Sequence, residues 1–152
     1  MDAIVKPFRR ILVAIDFSDC SRNALHVAVD LSRRYLGALT LIHVYEPSTY
    51  ALPGGLLFLP QPQMDRLFAD LQSYLDREMR TAQALGALQV DAQITTGFAA
   101  GALCDFAKAG DFDLIVMGTH GRTGLSHALL GSVAERVTRL AHCPVLTVRA
   151  PA

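Results

Sequence analysis

Short apolar runs alternate with helical segments along this chain of 152 residues, and this alternation constrains the fold more than any other feature. The runs Ile11–Ile15 and Leu39–Tyr45 are apolar on both faces, which indicates strands of a parallel sheet covered by helices on each side. A run over 90–95 alternates like an edge strand, and 113–117 and 144–149 provide a fourth and a fifth strand. We therefore predict one α/β domain over residues 1–152, with no internal repeat.

Capping residues and a 3.6-residue apolar period predict four helices. The first follows the capping residues of 16–21 and stops near Gly37, and the second runs from Met64 to a stop at Gly86. The third covers about Ala99–Ala109. The fourth begins near Ser132, where Ser132-Val-Ala-Glu135 has the pattern of a capping box.

The pattern breaks between Pro47 and Pro62, where proline, glycine and Leu-Leu-Phe-Leu crowd together. This composition predicts a loop that is long for a compact domain. Because the segment is apolar, we expect it to pack on something, and it is the natural moving part of the chain.

Composition excludes several functions. Lys and Arg balance Asp and Glu, 14 against 14, which argues against a broad basic face for nucleic acid. No apolar run is long enough to cross a bilayer, and the start lacks the pattern of a signal peptide, so we expect a cytoplasmic protein.

The three cysteines, Cys20, Cys104 and Cys143, form neither a metal-binding pattern nor a CxxC motif. Cys104 and Cys143 are interpreted as small buried hydrophobes, while Cys20 lies near a helix start.

The loop after the fourth strand is rich in glycine and is the main candidate for a binding site. Gly118-Thr-His-Gly121 follows the strand directly, and Gly131-Ser132 precedes the fourth helix. Glycine permits positive φ and close approach of a ligand, and the N–H groups of a helix N-terminus attract anions. The loop matches neither the P-loop nor GxGxxG. On spacing alone, Gly118 could simply end a strand and Gly131-Ser132 could simply start a helix.

Four segments together resemble the universal stress protein family. They are Ile11-Leu-Val-Ala-Ile-Asp16-Phe-Ser, Leu41-Ile-His-Val44, the G-x2-G-x9-G-(S/T) pattern of the glycine loop, and Cys143-Pro-Val-Leu-Thr-Val-Arg149. The resemblance extends from Arg10 to Arg149, and in this family the glycine pattern marks the ATP-binding branch. It implies a sheet order of 3-2-1-4-5, with a crevice at the carboxyl ends of strands one and four. Asp16 and Gly118 end those two strands.

The resemblance also implies a role for individual residues in binding ATP. Asp16 would accept hydrogen bonds from the ribose or lie near the metal-bound phosphates. Ala14 would line the side of the base, and Val44 would meet adenine through its backbone. Met117, Gly118 and Gly121 would frame the ribose and phosphates, while Gly131, Ser132 and Val133 would present N–H groups to the β and γ phosphates. Mg²⁺ or Mn²⁺ would be carried mainly by the phosphates.

Each of these residues has a simpler alternative. Asp16 and Ser132 could be helix caps, although Ser18 and Asp19 can also cap the first helix. His43, in a buried strand, is interpreted as a satisfied core histidine. His120 and Arg122 could touch the γ-phosphate or lie in a solvated loop.

A catalytic function is not predicted, because no general base or phosphate-clamping lysine is placed beside the glycines. We expect nucleotide binding with slow or absent hydrolysis, and the alternatives are a weak ATPase or a nucleotide-free dimeric scaffold. A receiver domain would need an aspartate where the third strand ends in Ile94-Thr-Thr-Gly97, and a ligase of similar fold would need a Ser-Gly-Gly loop after strand one. The apolar fifth strand, over Val145–Arg149, is an edge that invites pairing, and family members typically dimerise this way.

Overall fold

Five parallel strands form the central sheet of the computed structural model, which describes residues 7–47, 50–52, 55–57, 59–121 and 130–151. In chain order the strands of the protein are β1 Arg10–Ala14, β2 Ala38–Tyr45, β3 Tyr50–Leu52, β4 Gly55–Leu57, β5 Val90–Thr96, β6 Leu114–Gly118 and β7 Val145–Val148. The sheet has the order β5-β2-β1-β6-β7. Counted over its five members, this is the predicted order 3-2-1-4-5, which is confirmed.

Within the described residues, four helices cover the two faces of the sheet: α1 Asp19–Tyr35, α2 Gln61–Ala84, α3 Ala99–Ala109 and α4 Ser132–Leu140. Side chains alternate across β1, so that Ile11 and Val13 join the core under α1 and α2 while Leu12 joins the core under α3 and α4. The prediction of helices on both faces is therefore confirmed. Within the described ranges, no helix is long and apolar enough to cross a membrane.

The segment 47–62 differs from the predicted loop. It contains a two-stranded antiparallel hairpin, in which β3 pairs with β4, and α2 begins at Gln61, before the predicted start at Met64. Strands of three residues are too short to establish a two-residue period. Pro62 lies in the first turn of α2, where its missing N–H costs no helical hydrogen bond. The helix therefore starts before its apolar period becomes visible.

Candidate functional site

A cleft of about 350 Å³ opens at the carboxyl ends of β1 and β6, the two central strands between which the chain order reverses. All nine residues predicted from the sequence line this one cleft: Ala14, Asp16, Val44, Met117, Gly118, Gly121, Gly131, Ser132 and Val133. They come from three strand ends, the glycine loop and the start of α4. The sheet order brings them together although they are spread over 120 positions from the first to the last.

The lining of the cleft can be divided by element into an apolar group and a polar group, called here its apolar end and its polar end. The apolar end is built from β1, β2, β6 and α3, through Ala14, Ile42, Val44, Ala99, Leu103 and Met117. The polar end is built from Asp16, Ser21, Thr119, His120 and the glycine loop with the start of α4. Such a cleft suits a ligand that has a flat apolar part and a polar or charged tail.

Sequence reasoning missed the contribution of α3. Ala99 and Leu103 line the apolar end because β5 lies beside β2, so the helix that follows β5 starts next to the end of β2. The amide of Ala99 also donates to Glu46 Oε1, which ties the start of α3 to the residue after β2. The predicted sheet order could have indicated that α3 lines the cleft, because neighbouring parallel strands end at the same edge of the sheet.

Asp16 points its carboxylate into the polar end and does not cap a helix. Its Oδ1 accepts from the backbone N–H of Ser18 at 3.0 Å and from the Ser18 hydroxyl. Ser18 is itself the N-cap of α1, where its Oγ accepts from the N–H of Ser21 at 3.2 Å. The alternative of Asp16 as a cap is therefore wrong, and Ser18 performs that role.

Close contacts surround the glycines of the loop at Gly121 and Gly131. Positive φ among the described glycines occurs at Gly86 and Gly97, whereas Gly131 is extended at φ −70° and ψ 158°. A Cβ on Gly131 would lie 2.9 Å from the carbonyl oxygen of Thr119, and one on Gly121 would lie 2.9 Å from Asp16 Oδ2. None of Gly118, Gly121 and Gly131 therefore has the left-handed backbone that glycine permits. A Cβ at Gly131 would meet the backbone, whereas one at Gly121 would meet the end of the Asp16 side chain.

The N-terminus of α4 opens on the polar end of the cleft. Its N-cap is Gly131, with no side-chain cap among the described residues, so the predicted capping box starting at Ser132 is wrong. The N–H of Gly131 donates to the carbonyl of Thr119 at 2.6 Å, which fixes Gly131 in an extended conformation and makes Ser132 the first helical residue. The first bond of the helix joins the N–H of Glu135 to Gly131. The three amides before it, on residues 132–134, therefore have no partner within the helix.

Few charges line the cleft in the part of the chain that the structure describes. The titratable side chains there are Asp16, His43 and His120. Thr119 Oγ1 contacts His120 Nδ1 at 3.1 Å. The described residues contain no group of three or more side chains that could hold a metal ion. Arg122, a candidate for contact with the γ-phosphate, lies outside the described residues.

The three cysteines are buried or half-buried, and none of them lines the cleft. Cys20 and Cys104 are buried, and Cys143 is half-buried. Burial, followed by the nearby charge of Asp105, raises the pKa of the Cys104 thiol. Burial, followed by the charge of Asp113, raises the pKa of the Cys143 thiol. Both shifts disfavour the reactive thiolate, which agrees with their interpretation as small apolar side chains.

Known proteins resemble this chain over nearly its full length. A family model described as the universal stress protein family matches residues 7–149. A universal stress protein of Methanocaldococcus jannaschii is 34% identical over 149 residues, which cover 95% of this chain and 84% of that protein. The structure of UspA from Lactobacillus plantarum superposes with a TM-score of 0.81 at 25% identity, covering 95% of this chain and 100% of that one. The crystal structure of a universal stress protein in complex with cAMP gives a TM-score of 0.73 at 25% identity, with coverage of 96% and 100%.

Proposed function

Because this chain belongs to the universal stress protein family, we propose that it binds ATP in the cleft and works as a nucleotide-dependent regulatory protein. The observation that carries the proposal is the start of α4, where three backbone amides without helical partners line the polar end of the cleft. Amides in this arrangement, at the positive end of a helix dipole, bind phosphate oxygens without a large positive side-chain field. A relative whose structure contains cAMP supports an adenine nucleotide as the ligand class.

The proposed ligand runs from the apolar end to the polar end. Adenine would contact Ala14 and Val44, and Asp16 would accept hydrogen bonds from the ribose or lie near the metal-bound phosphates. Met117, Gly118 and Gly121 would frame the ribose and phosphates. Ser132 and Val133 would present N–H groups to the β and γ phosphates. The N–H of Gly131, predicted to do the same, already donates to the carbonyl of Thr119, so Gly131 would contribute only the space left by its missing Cβ. Mg²⁺ or Mn²⁺ would enter with the phosphates, whose charge it neutralises.

We propose slow or absent hydrolysis. The described lining of the cleft contains no Glu and no Lys, and its one carboxylate, on Asp16, accepts hydrogen bonds from Ser18. Of its two histidines, His43 contacts the carbonyl of Ile15 and His120 contacts the hydroxyl of Thr119. A positioned base and a cationic clamp are the groups that phosphoryl transfer to water uses. Binding and release of the nucleotide, rather than turnover, would then change the state of the protein.

Calorimetry with a series of adenylates tests the proposal. In the presence of Mg²⁺ we expect affinity to rise from adenosine to AMP, ADP and ATP, by about tenfold to a hundredfold for each phosphate that reaches the amides of α4, since a hydrogen bond to a charged group contributes about 1.5–3 kcal/mol. ATP should also bind more tightly than cAMP, whose single phosphate cannot extend along the helix start. If no adenylate binds, the nucleotide-free scaffold becomes the better account.

We also propose a homodimer formed through Val145–Arg149. Strand β7 is an edge of the sheet, and Leu146 on it is 37% exposed while Leu140 at the end of α4 is 59% exposed. An apolar edge of this kind is protected when it pairs with a second copy. Sedimentation should show a dimer for the wild type and a monomer for Leu146→Lys. Leu88→Lys is the matched control, because Leu88 is 68% exposed and lies before β5 at the opposite edge. A wild-type monomer at micromolar concentration would contradict the proposal.

A further inference from the structure

The turn after β1 is held by a histidine that the nucleotide site does not otherwise use, and we infer that His43 is a positioning residue for Asp16. The inference rests on the proposed function, because it concerns how Asp16 is presented to the nucleotide. His43 lies on β2, is half-buried, and lines the cleft beside Val44. It contacts the residues on both sides of Asp16.

The first contact fixes the residue before Asp16. His43 Nδ1 lies 2.7 Å from the carbonyl oxygen of Ile15. A carbonyl can only accept, so His43 donates and its Nδ1 carries the proton. The N–H of Ile15 donates in turn to the carbonyl of Ile42 at 2.8 Å. Ile15 is therefore tied to β2 by both its backbone groups, one step beyond the last register pair of β1 and β2.

The second contact fixes the residue after Asp16. Phe17 has φ 65°, a left-handed conformation that is unfavourable for a residue with a bulky side chain. Such strain persists only where surrounding contacts hold it. The Phe17 ring lies 4.8 Å from the His43 ring, with 37° between the planes, and 5.7 Å from the ring of Tyr74 on α2. The imidazole and Tyr74 thus enclose the ring that keeps the turn in this conformation.

Asp16 is held between these two anchored residues. The left-handed step at Phe17 brings Ser18 back to Asp16, so that both Ser18 donors reach Oδ1. Oδ2 faces Gly121 across the cleft. The imidazole therefore helps to set the direction of the one carboxylate in the described lining, through the residues before and after it, while Ser18 supplies the hydrogen bonds to the carboxylate itself. This assignment goes beyond a core histidine satisfied by a carbonyl, because a core role predicts loss of stability without specific coupling to Asp16.

A double-mutant cycle on ATP affinity tests the inference. Calorimetry would compare the wild type with His43→Leu, Asp16→Asn and the double variant. We expect each single change to weaken ATP binding by roughly tenfold, and the double variant to be no weaker than Asp16→Asn alone, because residues in one network are not additive. His43→Asn, whose amide can still donate to Ile15, should recover part of the affinity. His26→Leu on the exposed surface of α1 is the control and should leave affinity unchanged.

Two outcomes separate the inference from the proposed function. If the wild type binds ATP and the double variant is about a hundredfold weaker, the two residues act independently and the positioning role is wrong. If the wild type binds no ATP, the proposed function fails and the inference fails with it. Far-UV circular dichroism of each variant checks folding, and His43→Asn carries the comparison should His43→Leu not fold.

Discussion

Gly118→Ala is expected to lower the free energy of unfolding by about 2–3 kcal/mol, as overpacking of a close contact does. A methyl group at Gly118 would lie 2.6 Å from Cβ of Cys20, 3.0 Å from its carbonyl carbon and 3.2 Å from the amide nitrogen of Ser21. Two of these atoms are backbone atoms of α1, which cannot rotate away. The helix would have to move from the end of β6. Urea unfolding at equilibrium measures the loss.

Gly101→Ala is the matched control and should have the opposite sign. Gly101 lies inside α3, and a Cβ there would meet nothing within 4 Å. Gly101 is the exposed third residue of the helix, where alanine stabilises relative to glycine by about 0.5 kcal/mol, the low end of the range for helical positions. If Gly118→Ala were as stable as the wild type, α1 would not be seated against β6 as the structure places it.

This contrast shows what the glycine pattern could and could not predict. The pattern placed Gly118, Gly121 and Gly131 together at one cleft, and the structure agrees with that placement. The physical reason differs from the positive φ that a glycine loop suggests. Backbone and side-chain atoms of Cys20, Asp16 and Thr119 occupy the space that a Cβ would need. Every one of these contacts joins residues more than ten positions apart in the sequence. A local sequence pattern contains no information about them.

The predictable parts of the fold were the elements with a clear local sequence pattern and the sheet order implied by the family resemblance. β1 and β2 are long enough to show apolar residues on both faces, which indicates burial in a parallel sheet. The hairpin of β3 and β4 has three residues in each strand and shows no such period. The N-cap of α4 was misplaced because the Ser132-to-Glu135 pattern is local, whereas the deciding hydrogen bond reaches from Gly131 back to Thr119. The N-cap of α4 is therefore set by a long-range contact and not by the local sequence pattern.

The site residues at strand ends could be predicted from the sequence. Those on helices could not, because their positions depend on how the helices pack. Asp16, Val44 and Gly118 belong to strand ends, whose common edge follows from the sheet order. Ala99 and Leu103 lie on α3, whose position depends on where β5 docks. The contacts of His43 with Ile15 and Phe17 depend on a left-handed residue, and no pattern predicts that conformation for phenylalanine.

Ser132→Asp is expected to separate the stability of the protein from its binding of ATP. Ser132 is the first residue of α4, where a negative charge interacts favourably with the helix dipole and with the unpaired amides, so the ligand-free protein should gain about 0.5 kcal/mol. The same carboxylate would compete with phosphate for those amides and would repel it. We expect ATP affinity to fall by about a hundredfold, which corresponds to about 2.7 kcal/mol.

Two comparisons make this result specific to phosphate. Ser132→Asn has nearly the size of the aspartate without its charge, so it should reduce ATP affinity by only about threefold, or less than 1 kcal/mol. Adenosine should bind Ser132→Asp as it binds the wild type, because its base and ribose lie away from α4. A variant that is more stable but binds ATP poorly cannot be explained by misfolding. Unchanged ATP affinity in Ser132→Asp would mean that the phosphates do not reach the start of α4, and the cleft would then need another account of its polar end.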